Sequence, residues 1–329
     1  MVVKVQNVAQ PSDIAVTIER LRRRDVRAMA RCISLIEDDA PAALNLLTLC
    51  FPFTGRALQI GVTGSPGAGK STLVDRLCRH YLQRASSVGV LAVDPSSPYT
   101  GGALLGDRIR MQEHHANPSF YLRSMATRGA LGGLAHRTAD AASILDAAGF
   151  DRILIETVGV GQDEVDIARL ADITIVVLVP GMGDDVQSIK AGVMEIADIF
   201  VVNKSDRDGA DRLEAEVRAM QSQSGISQTW MPPVVKTDSL TGSGISDLIA
   251  AIEQFYSWLG EEDRLTLRRR KQWKQRLSGM VQAQLMQELS FQVLSNKRLE
   301  EHAQAIVAGM ENPFEIAFAI VANLSNPKA

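Results

Sequence analysis

The chain has 329 residues, 46% hydrophobic and 22% charged, a balance that excludes an intrinsically disordered or fibrous protein. Its 35 Lys and Arg stand against 38 Asp and Glu, a net charge of -3, so it lacks the basic footprint of a nucleic-acid binder. The 9 Phe, 4 Tyr and 3 Trp beside 25 Gly suit an α/β core of small aliphatic side chains with glycine-rich turns.

Residues 1–52 read as a helical N-terminal extension. Val26, Met29, Ala30, Ile33, Leu35 and Ile36 recur with a helical period. The arginines between Arg20 and Arg31 are interleaved with Glu19 and Asp25 and read as a solvated helix face rather than a targeting peptide. A second helix is expected near Asp39, Ala40 and Pro41, where Asp suits a cap and Pro a first turn. Cys32, Cys50 and Cys78 show no CxxC or other metal spacing, which suits a reducing, cytoplasmic setting.

Residues 53–260 carry a different texture. Short aliphatic runs at 58–62, 88–93, 153–155, 173–179, 199–202 and 234–235 alternate with helical patterns. None alternates polar with apolar, so both faces of each strand are expected to be covered, as in a mostly parallel sheet with helices on both sides. The longest strongly apolar run, 173–179, is too short to cross a bilayer, so no membrane association is expected.

The segment Gly64-Ser65-Pro66-Gly67-Ala68-Gly69-Lys70-Ser71 matches G-x-x-x-x-G-K-S/T between an expected strand and an expected helix opening at Lys70, Ser71 and Thr72. Glycines are needed there because backbone N–H groups must turn inward around phosphate oxygens, and the helix N-terminus adds its own donors. Lys70 is expected on the β- and γ-phosphates and Ser71 on Mg²⁺. The fold expected is therefore an α/β P-loop NTPase with helical extensions at both ends.

Further along, Asp94 ends a strand and is a candidate Mg²⁺ carboxylate, as is Asp107. Glu156-Thr157-Val158-Gly159 occupies the place of a D-x-x-G segment, with Gly159 expected to sense the γ-phosphate through its N–H. Val160 follows where many small GTPases carry a water-orienting Gln, so slow intrinsic hydrolysis is expected. Asn203-Lys204-Ser205-Asp206 fits N-K-x-D. A carboxylate at Asp206 accepts from guanine N1–H and the exocyclic amine, a pair that adenine does not offer. Asp238, Ser239 and Leu240 stand where a second base-contacting loop is expected.

Residues 261–329 lose the strand signals. A long helix is expected over 263–293, with Trp273, Leu277, Val281, Leu285, Leu289 and Val293 every four residues. Gly309 reads as a helix terminator, and Asn312, Pro313 and Glu315 open a last helix.

The phosphate loop, 93–97, 123–129, 156–162 and 194–206 together closely resemble the methylmalonyl-CoA mutase-associated GTPases of the MeaB/ArgK type. The resemblance implies a GTP-hydrolysing homodimer that binds adenosylcobalamin-dependent methylmalonyl-CoA mutase, its nucleotide state gating cofactor loading and protecting or reactivating the mutase. A cobalamin adenosyltransferase is a further candidate partner. It also implies a Mg²⁺ site at Ser71, Asp94, Asp107 and Glu156, and switch segments near 94–110, 156–166 and 179–190. The C-terminal helices would form a dimerisation arm. Two rival readings are a nickel-type metallochaperone GTPase, which a total of 5 His with only His114 and His115 adjacent disfavours, and a kinase acting on an amino-acid transport component.

Overall fold

The computed structural model describes residues 11–94, 111–126, 133–157, 167–181, 194–223, 229–292 and 296–325. The strands are β1 (Leu58–Gly64), β2 (Val88–Asp94), β3 (Phe120–Ala126), β4 (Arg152–Glu156), β5 (Ile173–Leu178), β6 (Ile199–Asn203) and β7 (Val234–Thr237). They form a 7-stranded sheet in the order β3-β2-β4-β1-β5-β6-β7, with every neighbouring pair parallel. Every residue of β5 and β6 is buried, which explains why all but Thr174 and Asn203 are apolar.

β3 is the strand that periodicity misses. It lies at the sheet edge and mixes Arg123 and Ser124 with Phe120, Tyr121 and Met125, so its apolar signal is diluted. Arg123 reaches across to Ser34 Oγ at 3.0 Å and to Glu37, tying the edge to the N-terminal helices.

Those helices are α1 (Pro11–Arg22), α2 (Val26–Glu37) and α3 (Ala43–Cys50). Asp25 caps α2, accepting from Ala28 N–H at 2.9 Å. α3 opens at Ala43 rather than at Pro41 and has no side-chain cap. Asp39 adopts φ 47°, not the extended geometry of a cap, and its carboxylate pairs with Arg137 instead. Leu21, Ile33 and Cys50 share a core with Leu145 of α5 (Gly133–Ala147) and with Ile153 and Ile155 of β4. A second core packs α4 (Lys70–Gln83) and α7 (Ile245–Gly260) against the other side of β1, and α6 (Ala210–Gln223) covers β6. Cys32, Cys50 and Cys78 are free thiols and all are buried.

The chain divides into two compact units, Met1–Arg269 and Arg270–Ala329. α8 (Arg264–Gln292) begins in the first, anchored by Arg268 on Asp198 and by Arg269 on Asp172, both at 2.7 Å. The second unit continues through α9 (Asn296–Val307) and α10 (Pro313–Ser325). Gly309 takes φ 70° after α9, and Phe314 N–H donates to Asn312 Oδ1 at 3.0 Å at the start of α10. Leu277, Val281 and Leu285 are exposed along α8, as are Phe314 and Phe318 on α10. The side chains of Leu289 and Val293 lie outside the described residues.

Candidate functional site

In a parallel sheet the carboxyl ends of the strands open on one side, beside the point where strand order reverses. Here β1 leads to the 64–69 loop, β4 ends at Glu156, β6 at Asn203, and β7 runs into Asp238. Gly64 has φ 137° and Gly69 φ 88°, conformations that L side chains rarely adopt. A Cβ at Gly64 would strike the Val177 carbonyl of β5, and one at Gly69 the Asn203 amide. No side chain caps α4 at Gly69, and a helix N-terminus of this kind suits an anion. The Lys70 ammonium is buried and donates to the carbonyls of Gly64 at 2.7 Å and Ser65 at 2.9 Å, which holds it across the loop mouth.

Ser71 Oγ donates to Glu156 Oε1 at 2.6 Å, and both side chains are buried. The next residue is pinned twice, by Thr157 N–H to Val62 carbonyl at 3.1 Å and by a 2.9 Å bond between the hydroxyls of Thr157 and Thr63. A hydroxyl and a carboxylate beside a phosphate loop are hard oxygen donors, the chemistry Mg²⁺ prefers. Among the described residues no three His, Cys, Asp or Glu converge as a metal cluster. A cation that takes its remaining ligands from phosphates and water needs none. Asp94 closes β2 opposite Ala126, while Asp107 and Gly159 lie outside the described residues.

Asn203 joins the phosphate loop to the segment after β7. Its Nδ2 donates to the Ala68 carbonyl at 2.7 Å, and its Oδ1 accepts from Thr237 Oγ1 at 3.1 Å, Ser239 Oγ at 2.8 Å and Ser239 N–H at 3.2 Å. Lys204 has φ 55°, a strained value for a side chain of its size, and its ammonium donates to the Gly67 carbonyl at 2.7 Å. Asp206 is exposed at the end of this segment. The Asp238 carboxylate closes its own loop, accepting from Thr241 Oγ1 and from Leu240 N–H at 3.0 Å. Leu240 is exposed.

Sequence reasoning misses three contributors. Arg76 on α4 donates from Nε to the Ser239 carbonyl at 2.8 Å and from Nη2 to the Leu240 carbonyl. His114, buried, meets Asp75 of α4 at 2.9 Å. The Thr63–Thr157 pair is the third. Each rests on isolated polar side chains among ordinary neighbours, so no periodicity marks it; only the spacing from Thr72 to Arg76, one helical turn, hints at a shared face.

A family model described as Methylmalonyl Co-A mutase-associated GTPase MeaB matches residues 29–293. A Pyrococcus abyssi protein with GTPase in its name is 50% identical over 267 residues, covering 80% of this chain and 82% of its own length. GTPase ArgK of Escherichia coli is 35% identical over 284 residues, covering 84% and 86%. The crystal structure of a LAO/AO transport system kinase matches with a TM-score of 0.71 at 26% identity, covering 97% of this chain and 100% of that one. No helix among the described residues is long and apolar enough to cross a membrane.

Proposed function

The chain belongs to the family of methylmalonyl Co-A mutase-associated GTPases and is a GTP hydrolase, and from that premise we propose that it serves a methylmalonyl-CoA mutase as a nucleotide-gated chaperone. GTP binding and hydrolysis would alternate two surfaces, one favouring cofactor loading and protection of the mutase, the other releasing it. The observation that carries the reading is the buried bond between Ser71 and Glu156. It joins the phosphate loop to the strand end that leads into 156–166, so loss of the γ-phosphate has a direct route to that segment.

In the reaction proposed, water attacks the γ-phosphate in line with the β–γ bridging oxygen. Lys70, already held across the loop mouth, neutralises charge on the β- and γ-oxygens, and loop N–H groups stabilise it further. Ser71 and Glu156, with Asp94 and Asp107, are the residues that would hold Mg²⁺, which when bound screens the charge building between the β- and γ-phosphates. Gly159 is the proposed γ-phosphate sensor. The base lies between Lys204, Asp206 and the 238–240 loop, with Asn203 bracing both sides. A homodimer through the C-terminal helices is supported by the exposed Leu277, Val281 and Leu285.

Hydrolysis measured with and without the mutase tests the coupling; a rate that does not respond to the partner counts against it. Label from γ-labelled GTP is expected in inorganic phosphate. Label in a second molecule would favour the kinase reading, which the similar LAO/AO transport system kinase raises by its name.

A further inference from the structure

α4 carries the phosphate-binding residues on its first turn, and Arg76 lies one turn beyond Thr72 on the same helix face. Its guanidinium spans two successive carbonyls, those of Ser239 at 2.8 Å and of Leu240. A planar fork suits such a pair of acceptors in a way that a compact ammonium does not. Because the peptide unit is planar, holding a carbonyl fixes the direction of the N–H on the same unit. The unit joining Ser239 to Leu240 is held at both ends, since Leu240 N–H donates to Asp238 Oδ1 at 3.0 Å. The preceding N–H, of Ser239, is directed to Asn203 Oδ1 at 3.2 Å, and Gly242 N–H closes the turn on the Asp238 carbonyl at 2.8 Å. Asn203 and Asp238 grip this loop from the sheet side, and Arg76 grips it from the phosphate helix.

We propose that Arg76 is a positioning residue for base selection, orienting the 238–240 loop toward the guanine edge without touching the nucleotide. Base and phosphate recognition would then share one rigid helix. The proposal rests on the assignment of this loop and of Asp206 to the base. Removing the fork frees two carbonyls of the loop and leaves the phosphate contacts on the first turn of α4 in place. The loss is therefore borne by the base.

The test is titration of GDP and ADP into the wild-type chain and into Arg76→Ala, Arg76→Lys and Asp206→Asn. Arg76→Ala should weaken GDP about tenfold while ADP stays within about twofold, the loss expected when charge-assisted bonds that orient a loop are removed. KM for GTP should rise by a similar factor with kcat nearly unchanged. Arg76→Lys, which keeps the charge but not the fork, should fall between. An unchanged ratio of GDP to ADP affinity, whether both affinities hold or both fall together, overturns the proposal, because a purely stabilising arginine would not discriminate between bases. Asp206→Asn separates the premise from the proposal: if selectivity survives that change, the base assignment itself fails. If Asp206→Asn relaxes selectivity and Arg76→Ala does not, only the role of Arg76 is lost. Should Arg76→Ala not fold, Arg76→Lys is judged by the same ratio.

Discussion

A methyl group at Gly69 would meet the Asn203 amide and would sit at φ 88°, so Gly69→Ala disturbs the phosphate loop and the Asn203 brace together. Its affinity for fluorescent GDP should fall by about tenfold or more, as strain and a displaced hydrogen bond add. Lys70→Ala removes the cation held across the loop mouth, and phosphate release under GTP should drop by about 10²-fold or more, the scale of losing a preorganised charge. Asp238 sets a pH signature. The Thr241 hydroxyl chiefly, helped by Leu240 N–H and opposed by burial, holds its carboxyl below the ordinary 3.8. A depressed acid stabilises the fold above its unfolded pKa and loses that contribution as pH falls through the folded one. The stability gap between wild type and Thr241→Val should thus stay level at neutral pH and narrow below about pH 3.8, read from thermal melts.

At the scale of elements, the start of β1 is gripped from both sides. Asp146 of α5 accepts from the N–H groups of Arg56 at 3.1 Å and Ala57 at 3.0 Å, while Arg269 of α8 donates to the carbonyls of Gly55 at 2.7 Å and Ala57 at 2.8 Å. Arg269 also pairs in two bonds with Asp172, which is only 2% exposed, just before β5. Arg269→Ala would leave that carboxylate buried without its cation, and urea unfolding should show a loss of about 3 kcal/mol. A double-mutant cycle with Asp172→Asn would isolate the pair. The strands around β1 were legible because burial on both faces demands aliphatic runs, and the phosphate loop because only glycines fit it. β3 was not, since an edge strand tolerates Arg123 and Ser124. Nor were Arg76 and Arg269, because an arginine on a helix looks the same whether it faces water or grips a distant carbonyl.

For the whole molecule, the exposed apolar residues of the 270–329 unit set the expectation of a second copy. Leu277→Asp with Leu285→Asp should convert a dimer to a monomer in sedimentation, with intrinsic hydrolysis retained. The three thiols carry a practical consequence. Burial pushes Cys32 up to about 11 and Cys50 to about 12, and it raises Cys78 as well, so all are protonated and sheltered near neutral pH. Labelling of the folded wild-type chain with a maleimide or a methanethiosulfonate is therefore expected to be slow until it is unfolded, which mass spectrometry checks. A spin label or dye installed through a new cysteine at exposed Leu44 or Met231 would report from that point alone, so the nucleotide cycle can be followed in a protein that keeps every one of its own cysteines.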